Sequence, residues 1–202
     1  MDKTGAKQEQ KAPVSRAEAK LEGAIKAFNY DFDGKVVLDI GSSTGGFTEC
    51  ALKHGARKVI AIEKGTDQMR AELATDKRVE LYEKTDIFRT TFGRIGYVDT
   101  ILADVSFVSL RQVLAYVERV LVKADADFLV MLKPQFEARP DQLFRGVVKN
   151  ERMRREICAD FEMWVKRKGF VIRAKHDNEV AGKNGNIERF YWLSLSRLQH
   201  HK

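Results

Sequence analysis

The sequence predicts an α/β protein with a mostly parallel sheet covered by helices on both faces. Three observations carry that expectation. Short apolar runs alternate with segments of helical periodicity along almost the whole chain. The runs are continuous rather than alternating with polar residues, which is how strands buried on both faces read. The polar residues with chemical potential stand directly after the runs, where open parallel sheets bind ligands.

Residues 1–13 are polar, rich in Lys and Gln, and read as a disordered leader. Ser15 with Glu18 forms a capping box, and Leu21, Ala24, Ile25 and Phe28 follow at helical spacing. After the Asp33-Gly34 turn, Val36–Ile40 reads as the first strand. Gly41-Ser42-Ser43-Thr44-Gly45-Gly46 then opens a helix that runs to about Lys53. Arg57–Ile62 is the second strand, Asp67–Ala74 a helix, and Val79–Tyr82 the third strand. Val98–Ala103 is the fourth, followed by a helix with Leu110, Val113, Leu114, Val117 and Leu121 on one side. Phe128–Leu132 precedes Lys133-Pro134 and a loop of about a dozen residues. A basic helix from Glu151 to Lys168 turns Met153, Ile157, Phe161 and Trp164 inward. Val171–Arg173 and Phe190–Leu195 are the last strands. With no internal repeat or linker, residues 14–197 read as one domain, and 198–202 as a tail.

No apolar run approaches the roughly 20 residues of a membrane span, and the start lacks the apolar core of a signal peptide. Cys50 and Cys158 show no metal-ligand spacing, and the four histidines are scattered. No metal site is therefore read, and a thiol-reduced, cytoplasmic setting is expected. The net charge of +7 is uneven. Between Arg145 and Lys175 ten Lys and Arg face four Asp and Glu, a net +6. Such a cluster is either a nucleic-acid contact or a solvated helix face.

The strand ends narrow the chemistry. Glycines after the first strand let backbone approach a ligand, and Glu63, ending the second strand, stands where an acid takes ribose hydroxyls. Asp86 follows the third strand. The spacing is G-x-x-x-G-G, not the dinucleotide fingerprint, and no Lys-Ser/Thr pair closes a phosphate loop. The acidic approach, Leu38-Asp39-Ile40-Gly41, favours a cofactor with a positive centre, such as S-adenosylmethionine. Asp104 and Lys133 end the next two strands. A lysine there needs a partner, because burying a lone ammonium is costly, and together the two can orient a hydroxyl. On periodicity alone, Lys20 remains a solvated helix lysine and Glu188 a turn residue.

Five segments, in order, carry a resemblance: Val14-Ser15-Arg16 with Lys20-Leu21, Leu38 to Thr48, Asp104-Val105-Ser106-Phe107-Val108-Ser109-Leu110, Lys133-Pro134-Gln135-Phe136-Glu137, and Gly185-Asn186-Ile187-Glu188. They resemble the TlyA-like family of hemolysins and ribosomal-RNA ribose methyltransferases, whose catalytic part is an FtsJ-like domain. The resemblance implies a Rossmann-like S-adenosylmethionine-dependent methyltransferase fold. Its seven-stranded sheet is mostly parallel, with an antiparallel last strand and helices on both faces. It implies methyl transfer to a ribose 2′-hydroxyl of RNA, with ribosomal RNA as the target class. It also implies a Lys-Asp-Lys-Glu tetrad at Lys20, Asp104, Lys133 and Glu188. Cofactor contacts are implied at Gly41, Ser43, Gly45, Phe47, Glu63, Asp86 and Asp104. Arg16, Arg145, Lys149, Arg152, Arg154 and Arg155 form the expected RNA-contacting set.

The sequence departs from the family pattern in three places. The residues before Val14 are too few for the family's small RNA-binding domain, so RNA recognition is expected from the domain's own basic surface or a separate partner. Ala17-Glu18 replaces Gly-Gly, and Glu63 to Gln68 lacks the family's Gly/Tyr-rich form. Three rival readings are a binding protein without turnover, a membrane-lytic protein, and an amino-group methyltransferase. The four intact tetrad residues, the lack of a spanning segment and the lack of any Pro-Pro pair speak against them in turn.

Overall fold

The computed structural model describes residues 15–196, apart from 121–125, 180, 183 and 184 and the side chain of Phe92. The expected leader and tail, Val14 and Leu121 lie outside the described residues. The described residues form nine strands: β1 (Val36–Ile40), β2 (Lys58–Ile62), β3 (Val79–Tyr82), β4 (Thr100–Ala103), β5 (Asp127–Leu132), β6 (Leu143–Phe144), β7 (Val147–Val148), β8 (Phe170–Asp177) and β9 (Arg189–Leu195). Seven make one sheet in the order β3-β2-β1-β4-β5-β9-β8, and β6 and β7 form a small separate hairpin. β1 to β5 pair in parallel; β9 is antiparallel to both β5 and β8.

The helices are α1 (Arg16–Phe28), α2 (Gly46–Lys53), α3 (Ala71–Ala74), α4 (Phe92–Ile95), α5 (Leu110–Val120), α6 (Pro134–Glu137) and α7 (Glu151–Arg167). The period-two geometry of the strands divides the core. Val36, Leu38 and Ile40 join Phe128, Val130 and Leu132 against α5 and α7. Val37, Leu129 and Met131 face the other way, against Leu21, Ala24, Ile25 and Phe28 of α1 and Phe47, Cys50 and Ala51 of α2. α1 starts where the capping residue predicts: Ser15 Oγ accepts the Glu18 amide at 3.1 Å.

Four elements differ from the sequence reading. The helix expected from Asp67 begins only at Ala71, because the Glu83 carboxylate takes the Asp67 and Gln68 amides at 2.9 and 3.1 Å. Asp67 sits at φ 51 in the resulting turn. The expected loop after Lys133-Pro134 holds α6, a 3₁₀ turn over Pro140–Gln142 and the β6–β7 hairpin. Pro134 and Pro140 each open their turn from its start, where a missing N–H costs nothing. β8 is eight residues long rather than three. It is an edge strand with one open face, so Arg173 and Lys175 interrupt the apolar run that a doubly buried strand would show. On α7, Met153 and Trp164 are half-buried, while Cys158 and Val165 join Ile157 and Phe161 in the core.

Candidate active site

β1 and β4 are neighbours in the sheet, and the strand order reverses direction between them. A crevice must open beyond their carboxyl ends, because successive connections leave on opposite sides there. Gly41 turns the chain at that point with φ +80, and a Cβ on it would stand 2.8 Å from the backbone oxygen of Asp104. Only glycine lets the two strand ends pass so closely. The crevice has a volume of about 680 Å³, and Gly41, Ser43, Glu63, Asp86 and Asp104 line it. Ile40, Ile62, Ile87, Val105 and Val108 supply apolar wall.

The acids have distinct local duties. Glu63 accepts the Ser43 amide at 2.9 Å and the Gly65 amide at 2.6 Å, so it fastens the glycine loop to the end of β2. Asp86 caps the 3₁₀ turn Ile87–Arg89 through the Phe88 amide at 3.0 Å and pairs with exposed Lys64 at 3.3 Å. Asp39 lies behind them on β1, fully buried. One oxygen accepts the Thr48 hydroxyl at 2.6 Å, and the other has no partner among the described residues. Burial pushes its carboxyl from 3.8 up to about 7; the charges of Asp104 and Glu63 add to this and Thr48 opposes it.

The four residues of the implied tetrad meet at the edge of this crevice. Lys133 Nζ lies 2.6 Å from Asp104 Oδ1 and donates to Ser106 Oγ at 2.8 Å. Lys20 Nζ lies 2.5 Å from Glu188 Oε2, with both side chains nearly buried. Sheet register joins the two pairs. Leu132 of β5 faces Arg189 of β9, so Lys133 leaves β5 directly beside Glu188 as it enters β9. Because β9 runs backwards, its first residue arrives at the carboxyl ends of the parallel strands.

Other predicted residues stand elsewhere. The side chain of Phe47 is 2% exposed and packs on Phe190 at 5.7 Å, in the core rather than the crevice. Gly45 does not line the crevice either; at φ +91, its missing Cβ leaves room for Leu73. Arg154 is a further correction to the expected RNA-contacting set. Its guanidinium is buried, with two bonds of 3.0 Å to Asp177 and two of 2.7 and 2.8 Å to Glu151. Asp177 also binds Arg189, so Arg154 is part of the joint between α7 and the sheet. Arg16, Arg145, Lys149, Arg152 and Arg155 are exposed.

Several residues at the site were not in the expected set. Ser106 holds Lys133, and Asp39 backs the glycine loop. Glu137 buries its carboxylate on Ser109 Oγ (2.8 Å) and the Leu110 amide (2.6 Å), tying the turn after Lys133 to the loop after Asp104. Phe107 stands 92% exposed at the crevice mouth with φ 63, its ring 5.2 Å from Phe136. Ala17-Glu18 fits its place: Ala17 packs where Gly46 lacks a side chain, and Glu18 pairs with Lys53 at 2.5 Å.

Sheet order, crevice and acidic lining define a methyltransferase-type α/β protein. The chain belongs to the FtsJ-like methyltransferase family, whose model it matches over residues 13–195, and to its TlyA-like branch. It is 37% identical over 186 residues to the 16S/23S rRNA (cytidine-2′-O)-methyltransferase TlyA of Mycobacterium tuberculosis, covering 91% of this chain and 69% of the relative. It is 33% identical over 183 residues to the 23S rRNA (cytidine-2′-O)-methyltransferase TlyA of Campylobacter jejuni, covering 89% and 70%. A solved structure of a candidate hemolysin from Streptococcus thermophilus superposes with a TM-score of 0.88 at 31% identity, covering 95% of this chain and 70% of the other. Alignment with a Bacillus subtilis homologue spans 63% of that protein's length. No helix among the described residues is long and apolar enough to cross a membrane.

Proposed function

We propose that the chain transfers a methyl group from S-adenosylmethionine to a ribose 2′-hydroxyl of RNA, with ribosomal RNA as the target. The observation that carries this reading is the convergence of Lys20, Asp104, Lys133 and Glu188 beside the acidic crevice. The crevice suits the cofactor on two counts. Its volume is within the range of small-molecule sites, and its carboxylates outnumber its single lysine, which favours a cationic ligand. Gly41, Ser43, Glu63, Asp86 and Asp104 would hold it. When bound, S-adenosylmethionine supplies a methyl group on a sulfonium, a strong electrophile with a neutral leaving group.

The protein's own work is orientation and charge. Lys133 has three N–H donors; Asp104 and Ser106 engage its ammonium, leaving a donor for the incoming hydroxyl oxygen. That contact aims the oxygen and stabilises negative charge on it as its proton passes to solvent. Asp104 holds the Lys133 ammonium in place by charge, while Glu188 and Lys20 steady the far side. Exposed Phe107, packed on half-buried Phe136 beside Lys133, suits an unstacked base. Arg16, Arg145, Lys149, Arg152 and Arg155 offer phosphate contacts, with a separate RNA-binding partner as a further source of recognition. Residues 14–197 act as the catalytic domain, working in the cytoplasm.

The test is incubation with labelled cofactor and ribosomal subunits, naked ribosomal RNA or total protein, followed by mapping of the label. The reading requires a 2′-O-methylated nucleotide in RNA. Label on a base or on protein would overturn it.

A further inference from the structure

We propose that Glu22, Cys50 and His54 form a binding site for one zinc ion, linking α1 to α2 away from the crevice. Cys50 lies on α2 and His54, four residues on, caps its C-terminus, which brings both side chains to the same side of the helix end. Glu22 reaches them from α1, which Gly46 allows to lie close against α2. Glu22 Oε2 is 2.8 Å from His54 Nε2 and 3.5 Å from Cys50 Sγ. One ligand atom from each residue lies within 4.8 Å of the others. A tetrahedral zinc ion with bonds of about 2.0–2.3 Å holds its ligand atoms about 3.3–3.5 Å apart. The thiol–carboxylate spacing already matches, the imidazole–carboxylate spacing is about half an ångström short, and the imidazole lies within 4.8 Å of the thiol.

The donor set selects the ion. Sulfur and imidazole with one carboxylate suit zinc and disfavour magnesium or calcium, which want oxygen. Three protein ligands leave a fourth position; Glu22 and His54 are partly exposed, so water can fill it. The local charge also calls for a cation. The Cys50 thiol is fully buried and faces the Glu22 carboxylate. The nearest lysine, Lys53, is engaged by Glu18 and Glu49. Coordination replaces the thiol proton, which leaves to solvent, and neutralises the cluster. The bound ion would fix α1, the helix that also carries Lys20.

The experiment uses metal-stripped, reduced full-length protein titrated with Co²⁺ and then Zn²⁺. One equivalent of Co²⁺ should produce a thiolate-to-cobalt charge-transfer band in the near ultraviolet, and one equivalent of Zn²⁺ should abolish it. Cys50→Ser should lack the band. Glu22→Gln and His54→Gln, at partly exposed positions that tolerate change, should each weaken zinc affinity about tenfold or more. Calorimetry in two buffers should show about one proton released per zinc near neutral pH. Cobalt binding without the sulfur band, or zinc affinity unchanged in both Glu22→Gln and His54→Gln, would overturn the site even if Cys50→Ser does not fold.

Discussion

Asp39→Asn should stabilise the protein in a pH-dependent way. In the folded chain burial pushes the Asp39 carboxyl up to about 7, against an ordinary value of 3.8. One pH unit of proton affinity is worth about 1.4 kcal/mol, so ionising Asp39 costs the folded state about 4 kcal/mol. Between the two values the folded state binds the proton more tightly than the unfolded chain. Stability is therefore fully present below about pH 4 and is lost as pH rises through about 7. From pH 5 to pH 8 the loss comes to about 3 kcal/mol. Asn has the same shape, keeps an oxygen for Thr48 and does not titrate. Urea unfolding of both proteins from pH 5 to 8, without cofactor, isolates the difference because other groups cancel. The Asp39→Asn variant should gain about 3 kcal/mol relative to the parent over that range. A difference that stays flat, or that favours the parent as pH rises, would refute the assignment of a costly buried carboxylate.

Lys133→Ala should lower methyl transfer by about 10²–10⁴-fold while leaving cofactor affinity, measured by calorimetry, within a few fold. Collapse of cofactor binding would remove Lys133 from the role given above. Arg154→Ala should cost about 1–3 kcal/mol in urea unfolding, because it removes the buried guanidinium that joins α7 to the sheet, while Asp177 keeps Arg189 and Glu151 keeps Arg155. Arg152→Ala with Arg155→Ala should leave stability within about 1 kcal/mol yet reduce the salt slope of RNA binding by about two. An unchanged slope would return that face to solvent. Gly41→Ala should cost about 1–3 kcal/mol and weaken cofactor binding, since the methyl group would meet the Asp104 carbonyl at a positive φ.

The sheet was legible because its central strands are buried on both faces, and continuous apolar runs such as Val36–Ile40 and Phe128–Leu132 have few other readings. Asp104 and Lys133 were legible for the same reason: a charge at the end of such a run needs a partner. Periodicity could not reveal what depends on single bonds or short units. The Glu83 carboxylate shortens α3, and two-residue strands build the β6–β7 hairpin. Edge strand β8 has one open face and so hides its length. Arg154 shows a different limit. Arg152, Arg154 and Arg155 look alike in sequence, but helical geometry turns Arg154 inward to Asp177 and leaves its neighbours in solvent. The Glu22–Cys50–His54 cluster is equally invisible along the chain, since one of its members comes from another helix.

The reversed strand β9 has a consequence for how the protein becomes competent. Lys20 and Glu188 are 168 positions apart, and their contact forms only once β9 has inserted between β5 and β8. Such distant pairings carry the largest loop-closure penalty and belong among the late events of folding. The walls of the crevice, by contrast, come from loops after β1, β2, β3 and β4, all complete by Val108. A partly opened molecule with β9 detached would keep its cofactor crevice and lose one of its two charge pairs. Cofactor retention and the proposed methyl transfer should then fail at different denaturant concentrations, transfer first, so the last strand of the sheet is also a safety catch.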